Sequence, residues 1–206
     1  MHDLMYRYSG VGRIIDPRYP TNLAMLVWGA LGAVILFFIR LAGGTGLTDA
    51  GLDAFVGALA IGVTWVLARE LDPEEPLAAF VPPALISVAL VVLDQPFNLI
   101  LLVYLIPLLR IVNRTVGLPA TLIDSVVMVI FTGIIGVMQG WPIMLLGTAA
   151  FVLDAVLVDG TRRQLAFALV TILLAAGVAL TGDTQWVAGL PDGLYVLAVI
   201  GVTVAF

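Results

Sequence analysis

"NLAMLVWGALGAVILFFIRLA" (residues 22–42) carries one charged side chain, Arg40, and after Asn22 is otherwise an unbroken apolar run. A helix of that length rises about 31 Å, which matches a bilayer hydrocarbon core roughly 30 Å thick. The run is continuous rather than alternating, so it reads as a helix apolar on every side, not as a strand with one wet face. The rest of the chain agrees. Of its 206 residues, 62% are hydrophobic and 11% charged, with a mean hydropathy of +1.14. A soluble domain of this size cannot hide so much apolar surface, so the natural solvent is lipid.

Working outward from that run, further apolar stretches lie near 52–69, 76–93, 97–112, 119–138, 142–158, 163–181 and 186–206. The expected fold is therefore an all-α polytopic transmembrane bundle of about eight spans, or seven if the last does not cross. Residues 1–206 form a single integral membrane domain behind a polar lead, 1–20. That lead, with Arg7, Arg13 and Arg18, and the length of the first run do not read as a cleaved signal peptide. "DQP" (94–96) and "QGWP" (139–142) are short links that force antiparallel neighbours. The last run is the weakest span: from Gly193 to Phe206 it offers about 21 Å of helix, and an earlier start at Trp186 takes in Pro191 and Asp192.

Rare residues narrow the chemistry. The chain has no cysteine and a single histidine, His2, so disulfides, thiolate catalysis, iron–sulfur clusters and His- or Cys-ligated metal or haem sites are not expected. All nine basic residues are arginine, so there is no lysine for a retinal Schiff base. With alternating spans, Arg7, Arg13, Arg18, Arg69, Arg110, Arg114, Arg162 and Arg163 share one side and Arg40 alone lies on the other. The positive-inside rule makes the crowded side, and with it the N-terminus, cytoplasmic. The expected location is a prokaryotic plasma membrane. The opposite face carries Asp49, Asp53, Asp94, Asp183 and Asp192, glycine-rich turns such as "GGTGLTDAG" (43–51), and Trp141 and Trp186 at belt positions.

The densest charge, "ARELDPEEP" (68–76), divides in two. Asp72 as N-cap, Pro73 at the first helical position and Glu75 at the third read as a capping box opening the third span. Arg69 and Glu70 close the second span, where an arginine can snorkel and a glutamate needs a partner. "DPEEPLAAF" (72–80) and "DGTRRQLAF" (159–167) open spans four apart, which reads either as a duplicated four-helix unit or as two helices capped alike.

Two aspartates at membrane depth carry the functional expectation. Asp124 falls about 7–8 Å inside the fifth span, and Asp154 at similar depth in the sixth. Such acids usually face the bundle interior and pair; the nearest cations in sequence are Arg110 and Arg114, with Asn113 and Thr115 beside them. The pairs either glue helices together or line a cytoplasm-facing basin. Its candidate lining is Arg69, Glu70, Arg110, Asn113, Arg114, Asp124, Asp154, Asp159 and Arg162. Clustered arginines suit an anionic, phosphate-bearing lipid headgroup, and Asp154 with Asp159 would hold Mg²⁺ against it. No other cofactor is evident and nucleic acid is not a partner; membrane lipids are, and an oligomer or larger complex is allowed.

The arrangement resembles the membrane prenyltransferases that make quinone and haem precursors. That family places acidic Mg²⁺-diphosphate motifs after its second and sixth spans, where this chain has "ELDPEE" (70–75) and "DAVLVDGTRR" (154–163). It departs from the family in lacking Asn-Asp-x-x-Asp in the first loop, in spacing the second as Asp-x4-Asp, and in being much shorter. The expected activity is thus binding or processing a prenyl- or phospholipid, a transferase step included. Intramembrane acids, with kinks at Pro82-Pro83 and Pro107, support a small ion or solute transporter as the alternative. Small-residue surfaces such as "GALAIG" (57–62) and "GIIG" (133–136) support a non-catalytic subunit.

Overall fold

A computed structural model describes residues 9–11, 15–93, 98–113, 118–157 and 160–181. Among them are seven α-helices and no strand: α1 (Pro20–Ala42), α2 (Leu47–Leu71), α3 (Val81–Val92, preceded by a 3₁₀ turn Ala78–Phe80), α4 (Leu99–Val112), α5 (Leu122–Gln139), α6 (Trp141–Val156) and α7 (Arg163–Leu180). Four of these, α1, α2, α5 and α7, are long and apolar enough to cross a membrane; the other three are shorter apolar helices. Four long apolar helices are compatible with an integral membrane protein. The run at 186–206 lies outside the described residues.

The chain divides into two compact units. The first, residues 14–102, is built on α1, α2 and α3. Pro20 starts α1 at a position whose N–H needs no helical partner. At its end, Gly44 takes φ +89, a left-handed conformation that glycine adopts freely, and Thr45 N–H returns to the Arg40 carbonyl. The turn delivers α2 antiparallel to α1, and Arg40 pairs with Asp53 across the hairpin at 3.1 Å. Arg40, which the sequence places alone on its side, is therefore ion-paired. Three glycines let the helices close: Gly29 faces the Ala58 carbonyl, Gly32 faces Ile61, and Gly57 faces Leu36 and Leu90. Met25, Ile61, Trp65 and Ala79 form the core, with Trp28, Phe80 and Leu90 packed around them.

The start of α3 corrects the sequence reading of "DPEE". Asp72 is the C-cap of α2, its N–H bonded to Ala68, and residues 73–77 form bends and a turn. Neither Leu77 nor Phe80 caps with its side chain. Asp72, Pro73 and Glu75 therefore do not make a capping box at the head of the third helix. Pro82 and Pro83 fall in the first turn of α3, where missing N–H groups cost nothing, so they open the helix rather than kink it. Pro107 does sit inside α4.

The second unit comprises residues 1–13 and 103–206 and contains most of α4 with α5, α6 and α7. Gly140, at φ +96, both ends α5 and starts α6, and Pro142 follows in the first turn. On α5, Gly136 leaves room for the Met144 side chain of α6.

Candidate functional site

At the arginine-rich end of the second unit the chain solves a local problem first. The opening N–H groups of α5 need acceptors. Thr121 is the N-cap and Asp124 the third helical residue: Asp124 N–H donates to Thr121 Oγ1 at 3.2 Å, and Thr121 N–H donates to Asp124 Oδ2 at 2.8 Å. This is a complete capping box. The carboxylate then takes two donors from far away in sequence, Ser9 Oγ–H at 2.6 Å and Gly10 N–H at 2.9 Å. Arg110 of α4 donates to the Val11 carbonyl at 3.1 Å. Gly10 is seated so tightly that a Cβ would collide with the Pro119 and Leu118 carbonyls. Residues 9–11 are thus a strap clamped over the head of α5, and Asp124 is 3% exposed beneath it.

Two corrections follow. Asp124 was expected about 7–8 Å into a span starting at Pro119, but α5 starts at Leu122 and places it in the first turn. Its partners are hydroxyls and backbone N–H groups in place of the expected arginine. A capping rule does explain it, and the signal was Thr121 three residues earlier.

Behind this cap the mostly apolar interior of α4–α7 holds three polar side-chain pairs. Ser125 Oγ lies 3.0 Å from the Gln164 side-chain oxygen, Tyr104 OH 3.0 Å from Thr132 Oγ1, and Thr148 Oγ1 2.9 Å from Thr171 Oγ1. Gly147 admits the Tyr104–Thr132 pair; a Cβ there would sit 2.7 Å from the Tyr104 hydroxyl. In an apolar bundle each such pair ties helices together for about 0.6–2 kcal/mol. Asp154 is fully buried in the last turn of α6. Arg163 donates to the Ala120 carbonyl at 3.2 Å, and Arg162 is exposed at the N-cap of α7. Asn113 N–H bonds the Leu109 carbonyl just past α4. Arg114 and Asp159 lie outside the described residues, and with Asp159 the Asp154–Asp159 magnesium pairing and the loop comparison on which a duplication rested. Among the described residues no three Asp, Glu or His side chains converge on a metal position.

Arg69 and Glu70 belong to the first unit. Glu70 is buried, 6% exposed. Arg69 lies over the face of Trp65, one turn earlier on α2, 5.9 Å from the ring centroid, which holds the guanidinium at the helix end. Phe80 meets Trp65 at 6.4 Å and stacks on Trp28 at 6.0 Å. Trp28 in turn donates to Ser87 at 3.3 Å.

Beside this aromatic stack runs a groove of about 780 Å³ between α1 and α3, floored by Gly57 and Ile61 of α2. Its walls are apolar, from Ala24 to Leu36 on α1 and from Ser87 to Val92 on α3. Ala24 to Leu36 spans about 18 Å of helix. Met25, next to Ala24 in the chain, and the groove's floor residue Ile61 belong to one buried cluster with Trp65; Trp65 and Arg69 themselves do not line the groove. The sequence shows both apolar walls, but the groove itself exists only once α1 and α3 are set against α2. Comparison of the chain with protein-family models, with curated proteins and with solved structures finds no match.

Proposed function

We propose that the chain binds a long-chain lipid with an anionic head, the tail in the α1–α3 groove and the head beside Arg69. The observation that carries this reading is the groove itself: its volume lies within the range of ligand sites, its walls are apolar, and its floor residue Ile61 shares a buried cluster with Trp65, over which Arg69 lies. The arginine cluster imagined from sequence as one basin is not needed. Arg110 serves the strap, and a single oriented arginine suffices for a headgroup phosphate.

On this reading the chain has eight spans and the arginine-rich ends face the cytoplasm of a prokaryotic cell. The groove then opens toward lipid, with its Ala24 end in the cytoplasmic leaflet. The test is retention of lipid through purification in mild detergent, read by native mass spectrometry. Val88 lines the groove and is 61% exposed, so Val88→Trp fills the groove without disturbing the core. Wild type is expected to carry about one phospholipid per chain, Val88→Trp to lose it, and Arg69→Ala to lose the preference for anionic over zwitterionic lipid. Equal retention in all three proteins sinks the proposal.

A further inference from the structure

Asp72 caps α2 through its backbone N–H rather than its carboxylate, and the turn that follows does not use Glu74 or Glu75 to start α3. All three acids are exposed. Of them, Asp72 lines a cleft of about 310 Å³ at this end of α2. Ala68 and Leu71 of α2, Ala79 of the 3₁₀ turn and Pro82 of α3 supply its apolar walls. The volume falls at the small end of the range for ligand sites.

The polar groups lining the cleft are of one kind. Thr64 donates its hydroxyl proton back to the Ala60 and Ile61 carbonyls, at 2.9 Å each, so its oxygen presents only lone pairs to a ligand. Asp72 presents an acceptor with a full negative charge. Among the described residues no basic side chain lines the cleft, and Arg69, the nearest in sequence, lies over Trp65 instead. The C-terminus of α2 adds the negative end of its dipole beside Asp72. An anion in the cleft would meet repulsion with no side-chain donor to offset it. A cation with an apolar body matches both the walls and the charge.

We propose that this cleft binds an amphiphilic organic cation, its body between Ala68, Leu71, Ala79 and Pro82 and its charge against Asp72. The cleft shares no lining residue with the α1–α3 groove, so this inference does not rest on the lipid reading.

The probe is tetraphenylphosphonium, with tetraphenylborate as an anion of the same shape, each titrated calorimetrically into the full chain in a neutral maltoside detergent. Saturable binding of about one phosphonium per chain is expected, with the borate about tenfold weaker because attraction is exchanged for repulsion. Asp72→Asn keeps the shape of the cleft and the backbone cap, and should weaken the cation by roughly two- to fivefold, the range of an exposed charge pair. Ala78 is exposed and also lines the cleft, so Ala78→Phe fills it without entering the core and should abolish binding. Glu75→Gln removes a neighbouring charge that does not line the cleft, and should change the affinity by less than about twofold. The inference is overturned if the two ions bind alike, if uptake does not saturate, or if Asp72→Asn binds the cation as wild type does. Equal displacement of both ions by phosphatidylcholine would mark the cleft as an ordinary lipid contact and overturn it as well.

Discussion

Gly10→Ala isolates the strap. Gly10 does not have positive φ, so alanine meets no backbone strain there. The obstacle is space: the new Cβ would sit 2.7 Å from the Leu118 carbonyl and closer still to that of Pro119. Both are backbone atoms at the entry to α5, so the strap must lift instead. Lifting removes Gly10 N–H and Ser9 Oγ–H from Asp124 and the Val11 carbonyl from Arg110. Bonds to charged groups are worth about 1.5–3 kcal/mol each. The released groups are rewetted at the helix end, so a net loss of about 2–4 kcal/mol is expected, below the sum of three bonds. Hydrogen exchange reads this directly, since 1.4 kcal/mol is tenfold: the Gly10 and Val11 amides should exchange roughly 30- to 1000-fold faster than in wild type. Gly177→Ala is the control, with nothing within 4 Å of its Cβ. Unchanged exchange at Gly10 and Val11 in Gly10→Ala would refute the tight seating of the strap.

Thr121→Ala removes the N-cap hydroxyl and should cost about 1 kcal/mol in thermal or denaturant unfolding, with exchange at the first turn of α5 rising before the rest of the helix. Gly147→Ala pushes against Thr132 and Tyr104 and should destabilise the second unit by about 1–3 kcal/mol. Tyr104→Phe, which deletes the hydroxyl in the way, should recover part of that loss. With no native cysteine, single cysteines can be placed freely: one at Asp16 should be labelled from the cytoplasmic side and one at Thr45 from the other, and the reverse pattern overturns the proposed orientation.

The helices were legible in the sequence because lipid demands it: each apolar run must satisfy its own backbone, so run length and helix nearly coincide. The errors lie at helix starts, where three residues change the chemistry. Taking Pro119 as the first helical residue turned Asp124 into an acid at membrane depth, whereas a start at Leu122 makes it half of a capping box with Thr121. Likewise "DPEE" has the composition of a helix start, yet the chain spends it on a turn before Ala78. The strap was illegible for a different reason. Ser9 and Asp124 are 115 positions apart, and no local pattern pairs them. Arg69 could have been read more closely: Trp65 and Arg69 are four apart on one helix, the spacing at which side chains meet.

The most direct measurement of the central claim is photocrosslinking with a phosphatidylglycerol that bears a diazirine midway along one acyl chain, in native-like vesicles, with labelled peptides mapped by mass spectrometry. The account predicts labelling concentrated on residues 24–36 and 87–92, displaced by excess unlabelled lipid and abolished in Val88→Trp. Labelling spread evenly over the exposed apolar faces, Leu169 and Leu173 of α7 as much as Leu31 and Val88, would contradict it.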